Sequence, residues 1–131
     1  MSGIYAIIPT ASLAVLNAVG KALGRGQLFS GYLTDDPDPT PESTITHHHF
    51  YDAVATPAEF SILAAAKAGE ALPLHNNGNP VAWGTGDAPT EAAAYAAFAT
   101  MQMWANDSTR EPADFAEEQR AGLGLSLWSP I

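Results

Sequence analysis

The sequence predicts a small α+β fold, with a mixed or antiparallel sheet packed against helices. Three observations carry this expectation. Short apolar or alternating runs of strand length recur between stretches with helical spacing. Several helix starts carry recognisable capping chemistry. The chain of 131 residues suits one hydrophobic core, so a single domain over residues 1–131 is expected.

Ile4-Tyr5-Ala6-Ile7-Ile8 is apolar on both faces and ends at Pro9, which predicts a central first strand. Thr10 or Ser12 then caps a helix. Its apolar positions Leu13, Leu16, Val19, Ala22 and Leu23 fall on one stripe, and Gly24 supplies the C-cap. Leu28 to Leu33 reads as a second strand. Thr34 to Ser43 holds three prolines and four acids. That excludes a helix or central strand and predicts an exposed loop stiffened by extended proline geometry. Thr44 to Tyr51 resumes strand character. Alternation places Ile45, His47, His49 and Tyr51 on one face and Thr44, Thr46, His48 and Phe50 on the other.

Thr56-Pro57-Ala58-Glu59 is a capping box with proline at the first helical position. It starts a helix through Phe60, Leu63, Ala64 and Ala68. Asn77-Gly78 marks a tight turn, and Val81-Ala82-Trp83 a short strand. Pro89-Thr90-Glu91 opens an Ala-rich helix whose bulky positions include Tyr95, Phe98 and Met101 or Gln102. That helix is expected to extend towards Trp104 and Ala105, until Asn106-Asp107-Ser108-Thr109 breaks it. Pro112 begins a last helix with Phe115, Glu118 and Gln119, ending near Gly122 and Gly124. Leu123, Leu125, Leu127 and Trp128 alternate as an edge strand. This order is compatible with a split βαβ, ferredoxin-like core carrying extra C-terminal helices.

Composition narrows the function classes. There are 14 acidic and 5 basic residues, a formal charge of −9, and no Lys or Arg between Arg25 and Lys67. Such a surface repels nucleic-acid phosphates and anionic lipid heads, so neither nucleic acid nor membrane is expected as a partner. The absence of cysteine excludes disulfides, thiolate metal sites and a cysteine nucleophile. Met1-Ser2-Gly3-Ile4 lacks the basic region of a signal peptide, and no apolar run is long enough to span a bilayer.

A metal site would draw on His47 and His49, which share a strand face, with His75 or Asp52 as further ligands. Half-buried strand histidines bonded to neighbouring groups are the plainer account. Asp35, Asp36, Asp38 and Asp52 supply carboxylates without a rigid cleft. Gly84-Thr85-Gly86 lacks the lysine of a phosphate-binding loop. A sugar- or receptor-binding module would show Trp83 or Tyr51 beside Asn76, Asn77 and Asn79. Association with other proteins fits better. Leu125, Leu127, Trp128, Pro130 and Ile131 form an almost uncharged apolar terminus, suited to a core or to a partner's surface. No cofactor and no enzymatic activity are expected.

Three stretches give the chain a wider likeness. They are Ile4 to Leu13 with the helix after it, Thr46 to His49 leading into Thr56-Pro57-Ala58-Glu59, and Leu74 to Trp83 followed by the Ala-rich helix. Over roughly residues 3–128 the chain resembles small proteins encoded among the structural genes of tailed bacteriophages, often beside tail or fibre genes. The resemblance implies a non-enzymatic virion component present in several copies, such as a tail-tip, fibre-associated or capsid-decorating protein. It also implies self-association, other virion proteins as partners, and location on the virion after assembly in the host cytoplasm. It carries over no functional residue.

Overall fold

The computed structural model describes residues 4–22, 29, 31–52, 75–76, 79–80, 91–106 and 109–128. They form a small α+β fold in which an antiparallel sheet packs against helices. The elements are β1 (Ile4–Pro9), α1 (Thr10–Ala22), β2 (Gly31–Thr34), β3 (His47–Asp52), β4 (His75–Asn76), β5 (Asn79–Pro80), α2 (Glu91–Ala99), β6 (Gln102–Ala105), α3 (Pro112–Gly122) and β7 (Ser126–Leu127). They fall into two compact units. One holds the five-stranded sheet β6-β1-β3-β2-β7 with α3, and the other holds α1 from Ala11 onwards together with α2.

All four pairings in the large sheet are antiparallel. β3 lies between β1 and β2, so the β1-α1-β2 connection skips one position, as a split βαβ unit requires. The β6-β1-β3-β2 order is that of a ferredoxin-like sheet, with β7 added at one edge. β1 is central, as its apolar run predicts. Ile4, Tyr5, Ala6, Ile7 and Ile8 are all buried.

The outer position beside β1 belongs to β6, a stretch expected to prolong the Ala-rich helix. That helix stops at Ala99. The Thr100 hydroxyl donates back to Ala97 O at 2.7 Å, and Thr100 and Met101 N–H close tight turns onto Ala97 and Phe98. Such back-bonding competes with the helical ladder. Trp104 then opposes Tyr5 in the β1–β6 register and stacks on it, with centroids 5.9 Å apart. Tertiary aromatic packing outweighs local propensity here.

The sheet register sorts one face into Tyr5, Ile7, Leu33, His47, His49, Tyr51 and Trp104. α3 covers it. Phe115 and Ala116 pack with Tyr5, Ile7, Leu33 and Leu125 in one buried cluster, against which Tyr51 and Trp104 also lie. Gln119 and Arg120 continue the same helical stripe one turn later and are half-buried. Pro112 sits in the first turn, with Asp114 close to the positive end of the helix. At the other end Gly124 takes φ 69°. Its N–H bonds to Ala121 O, and Leu125 N–H bonds to Arg120 O at 2.9 Å. This is a Schellman cap, and it turns the chain so that Leu125 enters the core.

In the second unit, Leu16 and Val19 of the predicted α1 stripe are buried, as are Ala94, Ala97 and Phe98 of α2 and Met101 just beyond it. Ser12 and Thr100 hydroxyls meet at 3.0 Å. β4 and β5 pair His75 with Pro80 and Asn76 with Asn79, on either side of Asn77-Gly78. The expected helix from Thr56, the strand at Val81-Ala82-Trp83 and the cap at Gly24 lie outside the described residues.

Candidate functional site

A polar grouping on the α3-covered face joins β1, β3 and α3. Tyr5 is wholly buried, and its hydroxyl lies 2.6 Å from His49 Nδ1. The Arg120 guanidinium, in the last turn of α3, lies close enough to the Tyr5 hydroxyl to lower its pKa. With the Tyr5 O–H assigned as the donor to Nδ1, His49 is the tautomer with its proton on Nε2.

Burial, and secondarily the Arg120 and His48 charges, push the His49 pKa down to about 4. The imidazole is neutral near pH 7, as an acceptor Nδ1 requires. Burial raises the Tyr5 pKa above its ordinary value, although the nearby Arg120 guanidinium opposes the rise. The hydroxyl thus keeps its proton and remains a donor. The aromatic setting is dense. Tyr5 meets His49 edge-on at 5.4 Å, Tyr51 at 6.3 Å and Trp104 at 5.9 Å. Gly31 faces His49 across the β2–β3 register. A Cβ at residue 31 would collide with the His49 ring, so glycine there leaves the space that the imidazole fills.

A groove of about 450 Å³ opens beside this cluster, lined by Pro37, Glu117, Arg120, Leu125, Ser126 and Leu127 among others. Arg120 is the member of the polar chain that reaches it. Tyr5 is sealed beneath, and the His49 Nδ1 lone pair is occupied.

His47 and His49 do share a face of β3, while His48 points to the other side and is buried. Each of the first two is already engaged: His47 Nδ1 lies 2.9 Å from Thr46 Oγ1, and His49 is held by Tyr5. Asp52 ends β3 opposite Ile4, and His75 lies in β4, in the hairpin. Their side chains are outside the described residues. Among the described residues no three His, Asp or Glu side chains gather as a metal-ligand group. Tyr51 is half-buried and accepts a hydrogen bond from Asn106 Nδ2 at 2.9 Å. Asn76 and Asn79 contribute backbone to the hairpin, and Trp83 and Asn77 lie outside the described residues.

The C-terminal segment divides sharply. Leu125 is buried in its own core, whereas Leu127 is 52% exposed on the edge strand. Trp128 is half-buried. Its backbone N–H bonds Tyr32 O at 2.9 Å, its indole N–H bonds Thr40 O at 3.1 Å, and its ring meets Tyr32 edge-on. Pro130 and Ile131 lie outside the described residues.

Trp128 thereby pins the acidic loop. That loop is also held by its own side chains. Asp36 Oδ1 accepts from Asp38 N–H at 2.9 Å, and Oδ2 accepts from the Ser43 hydroxyl at 2.8 Å. Thr40 and Ser43 bond each other's backbones, and Thr34 Oγ1 donates to Thr44 O at 2.7 Å. These are Asx- and Ser/Thr-turn devices. The hydrogen bond from Asp38, then that from Ser43, lowers the Asp36 pKa.

Comparison of the sequence with protein families and with curated proteins, and of the structure with solved structures, finds no match. Tyr5, Trp104 and Arg120 were not singled out by sequence periodicity as site residues. The available signals were slight: Tyr5 is the one polar side chain in the β1 run, and Arg120 follows the Phe115 stripe.

Proposed function

We propose that this domain is a non-enzymatic association module that pairs with a second copy of itself through the β2–β7 edge. Such a module would serve as a repeated structural component of a tailed-phage particle, in the tail or fibre region or on the capsid. The observation that supports the reading is the edge itself. β7 is a two-residue outer strand whose Leu127 is half exposed, and no charged residue lies between Leu123 and Trp128. Tyr32, on the neighbouring strand, is 40% exposed, as is Leu123 where α3 ends. Edge strands are ordinarily guarded by charge or proline, because their free backbone groups invite pairing. This one is uncharged and apolar over its described residues. Glu111, Glu117 and Glu118 keep the α3 surface polar, so the apolar strip is confined to the edge.

Sedimentation velocity of the wild type and of Leu127→Asp tests this reading. The wild type sediments as a concentration-dependent oligomer. The variant sediments as a monomer with unchanged circular dichroism. Deleting residues 124–131 is a poorer test, because it removes Leu125 from the core and Trp128 from the loop. A wild type that stays monomeric at high concentration, alone and mixed with neighbouring particle proteins, would overturn the proposal.

A further inference from the structure

We propose that Arg120 makes the groove between α3 and β7 a binding site for a carboxylate carried on an apolar body. The inference does not rest on edge pairing, since the groove can fill whether or not β7 has a partner. Arg120 is the cation lining the groove, and Glu117 is its acid. Among the described residues, Arg110 pairs with Glu118, while no carboxylate pairs with Arg120. In a chain with nearly three acids per base, an arginine with no acid paired to it among the described residues leaves its charge open to a ligand. The guanidinium has five donors to offer a ligand.

The support beneath Arg120 is costly and specific. A phenylalanine would fill the Tyr5 site equally well, yet a hydroxyl is buried there and must be satisfied. It is satisfied by His49 Nδ1 at 2.6 Å, with the Arg120 charge close by. Gly31 in turn clears the space for His49. The chain from β2 through β3 and β1 thus sets a buried hydroxyl and a neutral imidazole close to one guanidinium at the wall of an open groove. Guanidinium groups are suited to forked, two-point recognition of carboxylates. Pro37, Leu125 and Leu127 supply apolar walls, and Glu117 on the same wall disfavours a doubly charged phosphate.

Titration of the 131-residue chain, labelled with 15N and 13C, tests the site through the Arg120 Nε–H resonance. The probes are hexanoate and N-acetylleucine, with hexanamide and inorganic phosphate as controls at constant ionic strength. Saturable shifts are expected with both carboxylates, with neither hexanamide nor phosphate matching them. Tighter binding of hexanoate identifies a free apolar acid as the ligand class, and tighter N-acetylleucine binding identifies a peptide terminus. Arg120→Lys, which keeps the charge and the fold but not the fork, should weaken binding about tenfold, or about 1.4 kcal/mol, as read from leucine methyl shifts. Tyr5→Phe, a change at a positioning residue, should weaken binding without abolishing it. Linear, non-saturating shifts, equal binding of hexanamide, tighter binding of phosphate, or unchanged affinity in Arg120→Lys would each overturn the assignment. Repeating the titration of the wild type below and above the concentration at which it associates separates the two proposals, because the Arg120 response is expected at either concentration whether or not copies pair.

Discussion

The Tyr5 hydroxyl meets His49 Nδ1 at 2.6 Å along a diagonal of the sheet. Directly opposite one another are Tyr5 with Tyr51 and Ile7 with His49. Diagonal neighbours on one face are within reach of long aromatic side chains, and the edge-on ring contact of this pair brings the hydroxyl to the imidazole nitrogen. Removing the hydroxyl leaves His49 Nδ1 without its donor. Tyr5→Phe should therefore cost ~1–2 kcal/mol of stability, measured by urea unfolding. A neutral or stabilising change would show that the bond contributes nothing to the fold.

Gly31→Ala should destabilise the domain by ~1–3 kcal/mol, the usual cost of an added methyl in a filled space. The new Cβ occupies the position of the His49 ring. Combining Gly31→Ala with His49→Ala should recover part of that loss. Additive effects in a double-mutant cycle would show that the ring does not set the requirement for glycine.

Stability should fall as pH drops below about 6.5, the unfolded-state value for histidine. An imidazole with a lowered folded-state pKa takes up its proton more readily after unfolding. Its contribution is complete above the unfolded pKa and is lost on descent towards the folded one, about 4 for His49. Burial lowers His47 and His48 in the same direction, with Asp35 opposing the shift at His47 and His47 adding to it at His48. Asp36 adds stability of its own above its unfolded pKa, lost as pH falls through its lowered folded value. Because His49 is partly open to solvent, its share is ~1 kcal/mol. Urea midpoints at pH 7.5 and pH 5 should differ, and His49→Gln should narrow the gap. An identical gap in that variant would move the effect to other groups.

How far the sequence anticipates these features depends on the range over which each is encoded. β1, α3 and the terminal edge strand were legible because their signals are local: the Ile4–Ile8 run stopped by Pro9, Pro112 with the Phe115 stripe, and the alternation through Leu125 and Leu127. β6 was not, because an alanine run leads straight into it and Trp104 is drawn into a strand by Tyr5, almost a hundred residues away. The grouping of Tyr5, His49 and Arg120 depends on strand register and on where α3 docks, and neither has a local signature. His47 and His49 could be placed on one face by alternation alone, but their partners could not.

Trp128→Phe keeps the ring contact with Tyr32 and removes the indole donor to Thr40 O. The loop from residue 35 to 43 should then open more often. Limited proteolysis should cut the variant there several-fold faster, in line with a lost hydrogen bond of about 1 kcal/mol. Equal cutting rates would show that the Asp36 and Ser43 turns hold the loop unaided.

Association of an acidic chain is opposed by its own charge, and salt screens that repulsion. The apparent dissociation constant should therefore fall as ionic strength rises. An apolar edge contact predicts this sign, and a contact built on salt bridges predicts the opposite one.

The absence of cysteine permits the most direct measurement of edge pairing, because a single introduced thiol reports on one position. Leu127→Cys places it on β7, and Gln102→Cys places it on β6 at the far edge of the sheet. Under mild oxidation, pairing of two copies through β7 predicts rapid disulfide-linked dimers from Leu127→Cys and few from Gln102→Cys. Equal yields from the two positions, or faster linkage through residue 102, would contradict it.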